Sequence, residues 1–496
     1  MNLFDWIVLV FYLGILVVAG IYFFQLNNSS ESYTLGNHAI PGWVISLSIF
    51  ATFVSSISYL ALPATAYRDN WNSFAFSLSL PIAAVIAVKF FVPLFRKVNS
   101  PSAYTLLSIH YGPWARNYAS VMYLLTQVMR TGTILYLMAL LTHSLFGWNV
   151  VVVIVATSLI IVAYSLAGGI RAVVWTDAIQ AIILIAGAIV CLIIISMKIP
   201  GGVAEIVTSG MEHGKFSLGE IGPELFKPTF WVVLIYGLFI NLQNFGADQN
   251  YIQRYLSSQS LQAARRSAWQ GAMLYIPVSA LFLLIGTGLF VLYRSGASTL
   301  PASLLDPANA DAVFPHFIVT ELPDGVRGLL VVSIFSAGMS TISTSYNSGA
   351  TVMLNDFYLP VAGAEIAEQR RLRVLYASTM LIACSGAAVA VAMISTKSAL
   401  DTWWKLASVF SGGILGLFLL VLIPGTRSKS AAVAGVCAAV LVILAMTVSS
   451  IVLPAGSEWN LFHPYLSIVF GTTALVITAL VAGSIIYRKY AEPDPS

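Results

Sequence analysis

Charge is what this 496-residue sequence has least of: only 9% of it is Asp, Glu, Lys or Arg, against roughly 25% in an average soluble domain. So few charges cannot wet a large surface, which excludes a separate aqueous domain. Lys and Arg are missing altogether before Arg68. The first apolar segment therefore lacks the cationic start of a cleaved signal peptide and is expected to stay in the mature chain. Cysteine is scarce as well. Cys191, Cys384 and Cys437 stand far apart inside apolar runs, which excludes a disulfide framework or a thiolate zinc site and leaves three small core residues. The six histidines show no metal-ligand spacing and fall in loops or at the ends of apolar runs, where a solvated ring is expected. Neither a phosphate-cradling glycine loop nor a Ser/His/Asp constellation occurs, so the sequence gives no sign of an enzyme.

What is present is hydrocarbon. Hydrophobic residues make up 58% of the chain, and the mean hydropathy is +0.86. Apolar stretches long enough to cross a core of roughly 30 Å recur about thirteen times. The expected fold is an all-α polytopic membrane protein of about thirteen transmembrane helices, with lipid as its surroundings and no nucleic-acid partner. Lys and Arg concentrate in cytoplasmic loops, and here Arg96, Lys97, Arg116, Arg171, Arg254, Arg265, Arg266, Arg370, Arg371, Arg373, Arg427, Lys429, Arg488 and Lys489 fall in alternate loops. An external N-terminus and a cytoplasmic C-terminus follow. Asn27 and Asn28 each begin an Asn-X-Ser sequence on the cytoplasmic side, which favours a bacterial inner membrane.

Three spans are too polar for lipid contact. The first, Pro41 to Tyr67, carries Thr52-Phe53-Val54-Ser55-Ser56-Ile57-Ser58. The second, Phe230 to Leu256, carries Asn241-Leu242-Gln243-Asn244-Phe245-Gly246-Ala247-Asp248-Gln249-Asn250. The third, Gly328 to Phe357, carries Ser340-Thr341-Ile342-Ser343-Thr344-Ser345. In hydrocarbon, a backbone that gives up helical hydrogen bonds is tolerated where it lines a cavity. The first two spans read as broken helices, each opening a set of five. Five is odd, so the second set crosses in the opposite sense, as in an inverted repeat with its site between the broken helices. The organisation expected is an extra helix and linker (1–40), a first repeat with an outer loop (41–229), a second repeat (230–424), and two further helices with a tail (425–496).

Sodium needs oxygen ligands without great excess charge. Ser340, Ser343 and Thr344 share one helix face by the i, i+3, i+4 rule, with Thr341 on the adjoining strip. The same run could equally serve close packing, its hydroxyls bonded back to carbonyls. Asp177 is either a first-turn acid favoured by the helix dipole or a cation ligand. Ser343 and Thr344 lie roughly 22 to 24 Å along their helix at 1.5 Å per residue, at the level of Asp177, which favours the ligand. Arg130 lies about 20 Å along its own span, too deep to snorkel. It is either half of a structural pair or, through its planar fork, a ligand for a carboxylate. Asp248 is expected to cap a half-helix or to pair with Arg254. Phe53, Trp71, Phe74 and Phe245 are candidate gates or stacking surfaces.

These residues also carry a resemblance. Ala167-Gly168-Gly169-Ile170-Arg171-Ala172-Val173-Val174-Trp175-Thr176-Asp177-Ala178-Ile179-Gln180, Gln253-Arg254-Tyr255-Leu256 with Ala264-Arg265-Arg266, and Phe335 to Ser348 resemble the sodium/solute symporter family. That family includes sodium-coupled glucose, proline, iodide, vitamin and sialic acid transporters. The resemblance implies a LeuT-like core of two inverted five-helix repeats behind one extra helix. It implies one sodium site at Ala51, Val54, Ala337, Ser340 and Thr341, and in some members a second at Asp177, Ser343 and Thr344, hence one or two Na+ ions. It also implies a substrate set of Phe53, Ser55, Ser58, Ser73, Ser77, Arg130, Asn241, Gln243 and Phe245. Ser55, Ser58 and Arg130 resemble the sialic acid branch, whereas Phe53 and Ser77 depart from it, where a hydroxyl and a larger polar side chain would stand. The activity implied is sodium-coupled import, by a monomer, of a small anionic solute such as sialic acid. A neutral sugar, a small monocarboxylate or a non-transporting receptor are the alternatives.

Overall fold

A computed structural model describes residues 2–24, 29–363, 365–395, 413–426, 428–453 and 462–491. The chain opens with α1 (Leu3–Phe24), then α2 (Gly42–Phe53) and α3 (Ser56–Arg68). Next come α4 (Phe74–Val98), α5 (Pro113–Phe146), α6 (Val150–Leu166), α7 (Gly168–Lys198) and the short α8 (Gly202–Glu212). The second half runs through α9 (Phe230–Ala247), α10 (Gln249–Leu256), α11 (Leu261–Arg294), α12 (Val326–Ala362) and α13 (Glu368–Ala392). It closes with α14 (Ile414–Val421), α15 (Lys429–Val452) and α16 (Ser467–Ala491). Among the described residues, nine helices are long and apolar enough to cross a membrane, the bent pair α2–α3 makes a tenth, and two shorter apolar helices lie in α1 and α6. Residues 403–412, in the apolar stretch before α14's end, lie outside the described residues, as do Arg427, Asn27, Asn28 and the tail beyond Ala491.

Both polar-centred spans are broken where their polar residues fall. Between α2 and α3, Val54 (φ −94°, ψ 118°) and Ser55 (φ −109°, ψ 169°) are extended, and the halves bend by 54°. Ser55 Oγ then accepts the Ser58 amide at 3.3 Å and restarts the helix as its N-cap. Between α9 and α10 the extended residue is Asp248, whose carboxylate accepts the Asn250 amide at 2.8 Å. Asp248 is therefore the cap, and its expected alternative, a pair with Arg254, is not formed.

The hydroxyl-rich α12 is the central post, with 78% of its most apolar window buried. It packs against α1, α5, α7 and α13. Its N-terminus is capped from outside the repeats: Asp5 of α1, fully buried, accepts the amides of Gly325 and Gly328 at 2.8 and 2.9 Å. The turn between α6 and α7 centres on Gly169 (φ 53°, ψ −153°), where a Cβ would stand 2.8 Å from the Tyr33 carbonyl oxygen. Only glycine fits such a close backbone approach.

The two ends of the bundle are tied differently. At the basic end Arg96 donates to the carbonyls of Leu256 and Ser258, and Arg171 donates to that of Gly36. His38, expected to be solvated, instead shares a 2.6 Å hydrogen bond with the Leu256 carbonyl. At the opposite end Lys198 meets Glu321 at 2.7 Å. There Lys215 donates to the carbonyls of Tyr67, Arg68 and Asp69 at the close of α3, with its ammonium 4.0 Å from the centre of the Phe290 ring. Only Cys191 is a core residue; Cys384 and Cys437 lie on exposed helix faces, because their apolar spans turn those sides outward.

Candidate functional site

The densest polar contacts lie around Asp177, well inside α7 and fully buried. It is not a first-turn acid. Its Oδ1 accepts Ser340 Oγ of α12 at 2.7 Å, and its Oδ2 accepts Ser48 Oγ of α2 at 2.6 Å. The same Oδ2 meets Arg254 Nη2 at 2.6 Å. Arg254 also donates to Ser48 Oγ (2.7 Å), Thr344 Oγ1 (2.5 Å) and the Asn250 carbonyl (2.6 Å). The charge rule places Arg254 in a basic loop, but the structure buries it to 1% exposure. Buried ions persist only when paired and hydrogen-bonded, and α10 delivers this one to the carboxylate of α7. Thus Asp177 and Thr344, which depth places level with each other and with Ser343, do converge, yet around a guanidinium and with Ser340 on the carboxylate where Ser343 is expected. Ser343 Oγ turns back to the Ser340 carbonyl at 3.1 Å.

Beside this cluster, α12 packs against both halves of the broken α2–α3 pair. Ala51, Val54, Ala337, Ser340 and Thr341 are all buried at 3% exposure or less. The Ser58 amide, bonded to Ser55 Oγ, is withdrawn from the Val54 carbonyl. Thr341 Oγ1 donates to the Ala337 carbonyl at 3.2 Å, the back-bonding of a packed hydroxyl.

The candidate substrate residues divide into three groups. Phe53 sits in an aromatic cluster, with ring centres 5.6 Å from Phe245, 4.8 Å from Tyr251 and 5.5 Å from Tyr275. Ser77 is bonded to Ser279 Oγ at 2.8 Å, and Ser55 and Ser58 face each other at 3.4 Å. By contrast Ser73 Oγ, Asn241 Oδ1 and Gln243 Oε1 are buried without a hydrogen-bond partner. Such orphans demand an explanation, of which a ligand is one. Arg130 has neither an ion pair nor a hydrogen bond to any described residue. It continues the face of α5 on which Tyr123 OH donates to Asn250 Oδ1 (2.8 Å) and Gln127 Oε1 accepts from Asn250 (3.2 Å). That face therefore leads to the Asp248 break. Of the candidate gates, Trp71 and Phe74 stand apart from this cluster, Trp71 donating to Thr287 Oγ1 at 3.0 Å.

Sequence reasoning misses Ser48, Gln127, Asn250, Tyr251 and Tyr275. Ser48 is one turn before Thr52 and Gln127 three residues before Arg130, so helical spacing from residues already singled out could have found both. Tyr251 and Tyr275 carry no such signal, because an aromatic residue in a span is ordinarily packing.

The chain matches the model of the sodium:solute symporter family over residues 33–439. It is 31% identical to the sodium/sialic acid symporter SiaT of Proteus mirabilis (strain HI4320), across 96% of this chain and 94% of that protein. It is 29% identical to the sodium/sialic acid symporter NanT of Aliivibrio fischeri (strain ATCC 700601 / ES114), across 89% and 87%. A solved structure, the substrate-bound outward-open state of a Na+-coupled sialic acid symporter, superposes with a TM-score of 0.89 at 29% identity, covering 98% of both chains. Helices that can span a membrane, two breaks at their polar centres and a family match over most of the sequence agree: this chain belongs to the sodium:solute symporter family and is a sodium-coupled transporter.

Proposed function

We propose that the chain imports a carboxylated sugar, sialic acid first among the candidates, together with sodium. The observation that carries this is Arg130: a charged fork inside a span, on the helix face that leads to a break, with no ion pair or hydrogen bond to any described residue. An unpaired guanidinium there is costly unless an anion completes it, and a planar carboxylate fits its two parallel donors. The sialic acid symporters among its relatives support the reading. Ser55, Ser58, Asn241 and Gln243 would meet hydroxyl or amide groups of the same cargo. Uptake of labelled sialic acid into proteoliposomes tests it: accumulation with a sodium gradient and none with potassium is expected, and sodium-independent or absent uptake counts against it.

A small monocarboxylate is the second reading. It is favoured by Phe53 in its cluster with Phe245, Tyr251 and Tyr275, an apolar surface where a polyol would want hydroxyls, and by the Ser77 hydroxyl already being engaged.

We assign one sodium to the carbonyls of Ala51, Val54 and Ala337 with the hydroxyls of Ser340 and Thr341. These are neutral oxygens of the kind a monovalent cation accepts. A second sodium would take Asp177, Ser343 and Thr344, and Arg254 is its competitor. A guanidinium and a sodium ion carry the same charge, so exchanging them leaves the Asp177 pair neutral. The transporter would work as a monomer in a bacterial inner membrane, its basic end in the cytoplasm and its N-terminus outside. The two five-helix sets, 41–229 and 230–424, would rock about the sites. The gradient supplies the work, about 2.3 kcal/mol for each charge moved through 100 mV.

A further inference from the structure

Asp248 does more chemistry than its cap requires. An N-cap needs one acceptor oxygen, and asparagine supplies it as well as aspartate does. Here the cap is a full carboxylate, in the gap between α9 and α10, accepting the Asn250 amide at 2.8 Å. It is partly accessible and makes no ion pair. On the facing helix α5, Tyr123 and Gln127 both hold Asn250, two residues beyond Asp248, and Arg130 comes one turn further along the same face. The arginine and the capping carboxylate therefore stand on facing elements, either side of Asn250. They form no ion pair, their charged atoms being more than 4.0 Å apart.

We propose that Asp248 is a specificity-determining residue that restricts the cargo to monoanions. The inference rests on the reading that Arg130 binds the carboxylate of the cargo. The charges decide it. With Arg254 paired to Asp177, as in the structure, the two charges cancel. That leaves Arg130 at +1, Asp248 at −1, one sodium at the α2–α3 break at +1, and the cargo. A monoanion brings the sum to zero. A dianion leaves one uncompensated negative charge near the bilayer midplane, where isolated charge is expensive, and its second carboxylate meets the like charge of Asp248. Without Asp248 the same site would prefer a dianion.

The test measures sodium-driven uptake into proteoliposomes of two matched pairs: sialic acid with its C9-carboxylic acid, and lactate with malate. It uses the parent protein, Asp248→Asn and Arg130→Gln. The parent should favour the monoanion of whichever pair it transports by about tenfold or more, and Asp248→Asn should shrink or invert that ratio by about tenfold. Asp248→Asn should melt with the parent, because the cap survives. An unchanged ratio in a well-folded Asp248→Asn, with Arg130→Gln inactive, overturns the charge filter alone and leaves Asp248 a helix cap. Unimpaired monoanion uptake in Arg130→Gln, or no uptake of either monoanion by the parent, overturns the carboxylate reading and the filter with it.

Discussion

Arg254 Nη2 lies 2.6 Å from Asp177 Oδ2, with both side chains buried to 1% exposure or less. The pair joins α10, the shorter half of the second broken helix, to α7, and through Ser340 and Thr344 to α12. Removing one partner of a buried ion pair strands the other, at a cost of about 3–5 kcal/mol. Asp177→Ala should therefore lower the melting temperature sharply. In Arg254→Gln the stranded group is a carboxylate ringed by hydroxyls, and sodium can replace the lost charge. Thermal unfolding of Arg254→Gln should be raised by sodium and not by potassium, more strongly than in the parent. Equal responses to the two salts would remove Asp177 from the list of sodium ligands.

Arg130 is the contrasting arginine. It makes no ion pair or hydrogen bond with a described residue, so its removal breaks no direct contact and takes away only a more distant charge from Asp248, and Arg130→Gln should melt only slightly below the parent. Binding of a carboxylated cargo should nevertheless fall by about a hundredfold or more, since a buried charge-assisted pair is worth about 2–5 kcal/mol. Isothermal titration with sialic acid measures this. Equal affinity in parent and variant would take the arginine out of the site.

The two arginines also show what the sequence can and cannot tell. Each polar run in an apolar span is legible as a break or a packed polar face, because hydrocarbon forbids unsatisfied backbone anywhere else. Both breaks fall inside the runs that foretell them, at Val54–Ser55 and at Asp248. The depth of a residue along its helix is legible too: it puts Asp177 level with Ser343 and Thr344, and the structure brings Asp177 and Thr344 to one guanidinium while Ser340, not Ser343, meets the carboxylate. What the residue list hides is the partner arriving from another helix. Arg254 looks like one more basic loop residue, since its burial depends on how far α10 reaches into the bundle. Ser77 looks free to bind cargo until Ser279 proves to face it. Depth along a helix is one coordinate, while rotation and neighbours are set by packing.

The cap at the start of α12 comes from α1. Asp5 is fully buried and accepts the amides of Gly325 and Gly328 on one oxygen and that of Asn2 on the other. Loss of an N-cap costs about 0.5–2 kcal/mol, and burial with two bonds puts this one at the upper end. Asp5→Ala should lower the melting temperature, whereas Asp5→Asn, which keeps an acceptor oxygen, should recover most of the loss. If Asp5→Ala melts with the parent, the extra helix does not hold the hydroxyl-rich one in place.

The Lys198–Glu321 pair predicts how the end opposite the basic loops responds to acid. Partial burial pushes the Glu321 carboxyl up, but the hydrogen bonds from Lys198 and Ser298 outweigh it and hold the group below its ordinary value of 4.5. A carboxylate depressed in the folded state adds stability that is present above the unfolded value and lost as pH falls through the folded one. Melting curves of parent and Glu321→Gln should therefore differ at pH 7, with the parent higher, and converge as the pH falls through and below 4.5. The difference is modest, because both side chains are partly exposed and solvent screens the pair. A gap that stayed constant from pH 7 to acid would assign the loss to packing of the glutamate stem, and the ion pair would have no part in holding the loop before α12 against α7.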